Sequence, residues 1–321
     1  MDQSTATITK LTYPTNACAF RVGSGFVRVS TAPTTVREHV LAAEQRFIEV
    51  GLVFGHGTDN ARDEAVFLVF HALFLPFDVA DSVLDSVLDE AQNAAIGATI
   101  DERISSRRPA AYLTGYMWFA GHKFQVDERV LIPRSPIAEL INNKFSPWLD
   151  ASRIHRVLEI GTGSGCIAIA TAMALPEVTV VATDISPDAL TVAVLNRADF
   201  PNISERVSFV QADLFPSSND RYDLIISNPP YVPSKIVSAL PPEYAHEPVL
   251  GLDAGTDGLN LIRRIVANAS ERLHDHGALV LDVGEMADTV DREIRSVHFT
   301  WIELEHGGAG VGIAQKADFD L

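Results

Sequence analysis

The sequence predicts an α/β fold: a doubly wound, mostly parallel sheet flanked by helices and preceded by a small helical domain. Three observations predict it. From about residue 154 short apolar runs alternate with helical segments, the pattern of successive βα units. Residues 35–108 instead carry apolar side chains at helical spacing. Between the two, from about 110 to 134, the periodicity falls to two.

Composition bounds the function classes. The 321 residues suffice for two domains, and 47% apolar with 21% charged residues describes a globular chain. No run of about 18 uncharged apolar residues occurs, so no spanning helix is expected. The first residues lack the basic-then-apolar order of a secretory signal, and a cytoplasmic location is expected. Two cysteines, Cys18 and Cys166, exclude a disulfide framework and a cysteine-based zinc site, and no metal is expected. The net charge is −17, from 25 basic and 42 acidic residues. Naked DNA or RNA, which binds through phosphate neutralisation, is a poor match. An acidic surface suits a basic partner, a basic protein included, and serves solubility equally well.

Residues 1–34 are rich in Ser and Thr and read as an irregular arm. In "TVREHVLAAEQRFIEVGLVF", Val36, Val40, Ala43, Phe47 and Val50 recur at helical spacing, with Thr34 or Thr35 as N-cap. "DNARDEAVFLVFHALFL" predicts a second helix capped by Asp59 or Asn60, apolar enough to be central to a bundle. "VADSVLDSVLDEAQ" predicts a third, with Val83, Leu84, Val87 and Leu88 on one face. A fourth, about 92–107, ends before Pro109. This domain, 35–108, is the natural candidate for substrate docking. "YMWFAGHKFQVDERVLIPR" predicts a β-hairpin turning at Gly121-His122, then a short strand ending at Pro133, within a linker of 109–150.

The second domain, 151–321, begins with the strand "RVLEIG" and the helix "SGCIAIATAMAL". "VTVVATDI" is a strand, followed by a helix with Ser186 as cap and Pro187 in its first turn. "RVSFVQADLF" and "YDLIISN" are strands, "GLNLIRRIVANASERL" a helix and "GALVLDVG" a strand. "SVHFTWIELE" and "VGIAQKA" predict a closing antiparallel pair, with the glycine-rich "HGGAGVG" as the turn between them.

Three strand ends carry chemistry. In "EIGTGSGC", Glu159 to Cys166, glycines at alternate positions let the backbone turn sharply and approach a ligand. The spacing is G-x-G-x-G, a poor match to a dinucleotide site. Asp184, about 20 residues on, is placed to accept hydrogen bonds from a ribose diol; an N-cap or turn role suits it too. Asp213 could take an adenine amine with Leu214 packing on the ring, or simply end its strand. All three sit where open α/β sheets bind ligands. In "DLIISNPPYVP" two prolines then stop an apolar strand directly after Asn228.

That series, from about 154 to 316, resembles the S-adenosylmethionine-dependent methyltransferases, which implies a Rossmann-like class I fold with a seven-stranded sheet. The resemblance implies S-adenosyl-L-methionine as cofactor, bound by Glu159, Gly161, Thr162, Gly163, Ser164 and Gly165, with Asp184, Asp213, Leu214 and Asn228. Within that superfamily "NPPY" marks methylation of a planar nitrogen, of adenine, cytosine or a glutamine amide. Asn228, Pro229, Pro230 and Tyr231 would then be catalytic: the Asn228 side chain and Pro229 carbonyl accepting the two N–H bonds, the prolines pre-setting the backbone, and Tyr231 stacking on the amide.

A helical domain, a hairpin ending "VLIPR" and "NPPYVP" resembles the protein-glutamine methyltransferases. Release-factor enzymes of that family usually continue "IPRPETE" or "IPRPDTE"; this chain has Ser135-Pro136-Ile137 in place of Pro-Glu-Thr. With "PPEYAHEPVLGLDAGTDGLNLIRRI", the match from about 36 to 316 resembles the branch acting on ribosomal protein L-three. The expected substrate is a glutamine of that protein; the alternatives are the release-factor glutamine and an adenine of DNA or RNA. Arg134 and Glu139 are candidates for the donor side, with a structural role open to both. "EYAHEP" is expected to wall the substrate cleft, with His246 packed or exposed rather than catalytic.

Overall fold

The computed structural model describes residues 32–305 and 308–319; most of the expected N-terminal arm lies outside them. Helix starts follow their caps. Thr35 and Glu38 form a reciprocal capping box at the head of α1 (Val36–Glu49), and Asn60 caps α2 (Ala61–Ala72). Val36, Val40, Ala43 and Phe47 are buried as the spacing predicts, but Val50 is the exposed C-cap. The third helix is much shorter than expected: α3 covers only Asp81–Leu84. Asp89 takes an extended conformation to form a capping box with Gln92, which opens α4 (Glu90–Ser106) and prevents continuity through 85–89. Val87 is consequently exposed. A short α5 (Ala110–Thr114), absent from the sequence reading, follows Pro109.

The hairpin pairs β1 (Tyr116–Phe119) with β2 (His122–Gln125). Its turn is Ala120-Gly121, one residue earlier than expected, and both have positive φ as a tight two-residue turn requires. His122 belongs to β2 and pairs with Phe119. No strand follows to Pro133: Asp127 accepts locally from the Arg129 and Val130 N–H groups, and the Ile132 N–H goes to the Glu247 side chain instead of a ladder. Helix α6 (Ile137–Asn142) then leads into the sheet domain.

There β3 (Arg156–Ile160), α7 (Cys166–Ala174), β4 (Thr179–Asp184), α8 (Pro187–Ala198), β5 (Val207–Gln211), β6 (Tyr222–Ser227), α9 (Ser234–Val237), α10 (Asn260–Arg272), β7 (Leu273–Asp282), α11 (Ala287–Glu293), β8 (Thr300–Trp301) and β9 (Val311–Gln315) succeed one another. Among the described residues the sheet has seven strands in the order β5-β4-β3-β6-β7-β9-β8. The first five are parallel; β9 runs antiparallel between β7 and β8. This is the expected fold, a Rossmann-like class I methyltransferase sheet. The period of two sorts its side chains: Val157, Leu224, Ile226 and Val280 join one core with α6 and α7. Leu158, Ile225, Leu279 and Leu281 join another with α10 and α11. A third core of α1, α2, α4 and α5 reaches through Met117 and Ile132 to Ala189 and Val192 of α8. The helical layer therefore rests on the sheet domain through side chains, beyond the covalent link.

Candidate functional site

The chain leaves β3 towards β4 on one side while β6 flanks it on the other, so a crevice opens beyond the carboxyl ends of these strands. Hydroxyls tie those ends together. Ser227 Oγ donates to the Ile160 carbonyl at 2.8 Å, and Thr183 Oγ1 donates to the Leu214 carbonyl at 2.6 Å. Gly161, Gly163 and Gly165 all have positive φ, as the alternate glycines predict.

Two clefts occupy this edge. The first, about 280 Å³, is lined by Glu159, Gly161–Ser164, Asp184, Asp213, Leu214 and Asn228–Pro230. The second, about 460 Å³, is lined by Asn228–Pro233, Tyr244, Asp282 and Gly284–Met286. Asn228, Pro229 and Pro230 line both, together with Arg134 and Ser135. The strand stop at "NPP" is thus a partition between two cavities.

In the first cleft, Asp184 Oδ2 accepts from the Gly163 N–H and Oδ1 from the Ser186 N–H, each at 2.9 Å. Burial raises its pKa while these backbone donors oppose the shift. The carboxylate forms the turn and also lines the cleft. Glu159 is 1% exposed and accepts from Thr162 Oγ1 at 2.6 Å; burial pushes its pKa up to about 8. Asp213 lies at the exposed rim, where it pairs with Arg264 at 2.8 Å. Gly165 stands outside the cleft lining: a Cβ there would press on Ala193 and the Phe209 ring, so its part is helix–strand packing.

In the second cleft, Tyr231 depends on a glycine. A Cβ at Gly284 would stand 2.8 Å from the Tyr231 ring. Burial, then the nearby Asp282 carboxyl, pushes the Tyr231 phenol up to about 12, so it stays neutral. Asn228 makes no side-chain hydrogen bond among the described residues, and it lines both clefts.

Several neighbours escaped the sequence reading. Asp282 and Ser135 line the second cleft, and Asp282 ends a strand just as Asp184 does, a signal present in "LDVGE". Arg134 forms a two-pronged ion pair with the fully buried Glu247, Nη2 to Oε2 at 2.8 Å. Glu139 accepts from the Glu305 N–H at 2.9 Å and lines neither cleft. His246 lies 3.1 Å from the Ser106 carbonyl, a packing position. In "EYAHEP", Tyr244 lines the second cleft and Pro248 the first.

The model of the methyltransferase small domain matches residues 144–240, the segment holding the glycine turn, Asp184 and the partition. Ribosomal protein uL3 glutamine methyltransferase of Neisseria gonorrhoeae is 44% identical over 275 residues, 85% of this chain and 92% of that one. The protein of the same name from Burkholderia pseudomallei is 42% identical over 302 residues, covering 90% and 98%. That of Xanthomonas campestris pv. campestris is 44% identical over 278 residues, 86% and 90%. With two clefts meeting at "NPPY" on a class I sheet, and relatives matched over nearly their whole length, the chain belongs to the ribosomal protein uL3 glutamine methyltransferases.

Proposed function

We propose that this chain methylates the side-chain amide nitrogen of a glutamine in ribosomal protein uL3, in the cytoplasm, with S-adenosyl-L-methionine as methyl donor. The observation that carries the reading is the partition: Asn228, Pro229 and Pro230 border both clefts, so donor and acceptor can meet there. The first cleft fits the donor. Open backbone at Gly161 and Gly163, the Asp184 carboxylate and the apolar Leu214 suit a nucleoside. Asp184 would hold the ribose, and Asp213 with Leu214 the adenine.

When bound, S-adenosyl-L-methionine supplies a methyl group whose bond to sulfonium sulfur breaks as its bond to the amide nitrogen forms. The protein's part is orientation. An amide nitrogen is a weak nucleophile because its lone pair is delocalised. Asn228 Oδ1 and the Pro229 carbonyl would accept its two N–H bonds and hold it flat at the partition. Pro229 and Pro230 fix this corner before substrate arrives, so little reorganisation remains. Tyr231, neutral and backed by Gly284, would cover the amide face. Such positioning is worth up to about 7–11 kcal/mol in favourable cases. The nitrogen's surplus proton passes to water, so no protein base is needed. The helical layer, 35–108, would dock the protein substrate, and 151–321 would bind the donor.

The test offers labelled donor with ribosomal protein uL3, a release factor and DNA in separate reactions, with label located by mass spectrometry. Label on a uL3 glutamine is expected. Label on the release factor alone would overturn the substrate.

A further inference from the structure

A buried chain of polar side chains links the helical layer to the partition. His56 lies in the loop between α1 and α2 and is 1% exposed. Its Nδ1 stands 3.4 Å from Glu247 Oε2, and both side chains are fully buried. Glu247 Oε1 accepts from the Ile132 N–H and from Arg134, and Oε2 from the second Arg134 nitrogen. Arg134 borders both clefts beside Asn228. The His56 ring also packs on Tyr244, centroids 4.3 Å apart, and Tyr244 lines the acceptor cleft. None of these groups is used in the methyl transfer described above.

A buried carboxylate is costly unless surrounded by donors. Glu247 has them, and although burial opposes its ionisation, His56 and Arg134 hold its pKa down to about 2. The ion pair is thus permanent at neutral pH, and it fixes a guanidinium whose long stem would otherwise sample many rotamers. His56 closes the far side of Glu247, and only the helical layer supplies it. Neither ring nitrogen makes a hydrogen bond among the described residues, so the ring's polar contact is the 3.4 Å approach of Nδ1 to Glu247.

We infer that His56 is a positioning residue for methyl transfer: acting through Glu247, it holds Arg134 at the junction of the two clefts, so the helical layer helps set the geometry of the reacting groups. The inference rests on the proposed glutamine methylation but can fail separately from it.

The experiment is a double-mutant cycle on the full chain with uL3 as acceptor. His56→Ala should lower kcat about tenfold or more, a displacement effect, while donor Kd from calorimetry shifts less than about threefold. His56→Asn, which keeps an N–H near Nδ1, should recover most of the loss. In a Glu247→Gln background, His56→Ala should cost little further, because its route is already cut. Unchanged kcat in His56→Ala, an Asn variant no better than Ala, or additive losses in the cycle would each overturn the inference. If His56→Ala does not fold, His56→Phe, which keeps a ring against Tyr244 but removes Nδ1, takes its place in the cycle. If wild type labels no uL3, the functional reading falls, and the clamp is read by NMR instead. Distinct, slowly rotating Arg134 Nη–H resonances are expected in wild type. They should broaden in His56→Ala; identical spectra would overturn the clamp.

Discussion

The Ser135 hydroxyl donates to Asp282 Oδ2 at 2.7 Å, tying the segment after the hairpin to the carboxyl end of β7. Asp282 Oδ1 accepts in turn from the Gly284 N–H at 3.1 Å, and Gly284 backs the Tyr231 ring. One hydrogen bond therefore connects the linker to the wall of the second cleft.

Ser135→Ala would leave a carboxylate oxygen, on a side chain 2% exposed, without its donor. The expected cost is about 1–3 kcal/mol of stability. Urea denaturation of the variant at neutral pH measures it. A loss below about 0.5 kcal/mol would show that water replaces the hydroxyl.

Asn228→Ala should lower kcat by about 100-fold or more, the scale of losing one preorganised polar partner. Donor affinity should change less than about threefold, because the first cleft retains its other contacts. Single-turnover kinetics with calorimetry separates the two quantities. Unchanged turnover would remove Asn228 from the amide clamp.

Asp184→Ala and Asp213→Ala should differ. Asp184 is half-buried and held by two backbone N–H groups, so its loss should weaken donor binding about tenfold or more, at about 1.5–3 kcal/mol for a charged hydrogen bond. Asp213 is more than half exposed and paired with Arg264, and its loss should cost under about 1 kcal/mol. Equal effects in calorimetry would contradict this ranking.

Glu159 gives stability a pH dependence. Burial raises its folded pKa from 4.5 to about 8, so between these values the folded state keeps a proton that the unfolded state releases. Stability from this group is full below pH 4.5 and falls as pH rises towards 8. Glu159→Gln removes the effect, so the variant should gain on wild type by roughly 1.4 kcal/mol per pH unit in that window at most. Parallel stability curves for the two proteins would show that Glu159 is already ionised at neutral pH.

In the helical layer, Arg103 Nε donates to Glu64 Oε1 at 2.7 Å, with both side chains wholly buried. Arg103→Ala strands a buried carboxylate and should cost about 3–5 kcal/mol. Glu64→Leu with Arg103→Met should recover most of it. Chemical denaturation of both variants reads the difference.

Much of this protein was legible in its sequence because the signals are local. Strand and helix alternation after residue 154, the Ser186 and Asn60 caps, and the glycine turn depend on backbone chemistry within a few residues. The cleft-lining Asp184 and the "NPPY" corner were legible for the same reason: each ends a strand, and topology brings strand ends to one edge. Where local signals competed, the reading failed. The apolar face of 79–92 promised a helix, but Asp89 capped a later one.

Tertiary structure alone decided which cleft each residue faces. Gly165 reads like Gly163, yet Ala193 and Phe209 across the packed helix and strand claim it. The departure from Pro-Glu-Thr at 135–137 acquires a use only when β7 brings Asp282, more than a hundred residues away, to the Ser135 hydroxyl, a donor that proline lacks. His56, Glu247 and Arg134 come from three segments with no common pattern, and only folding places these side chains together. Sequence periodicity carries backbone conformation and burial; pairing between distant charges depends on ångström-scale positions that no period encodes.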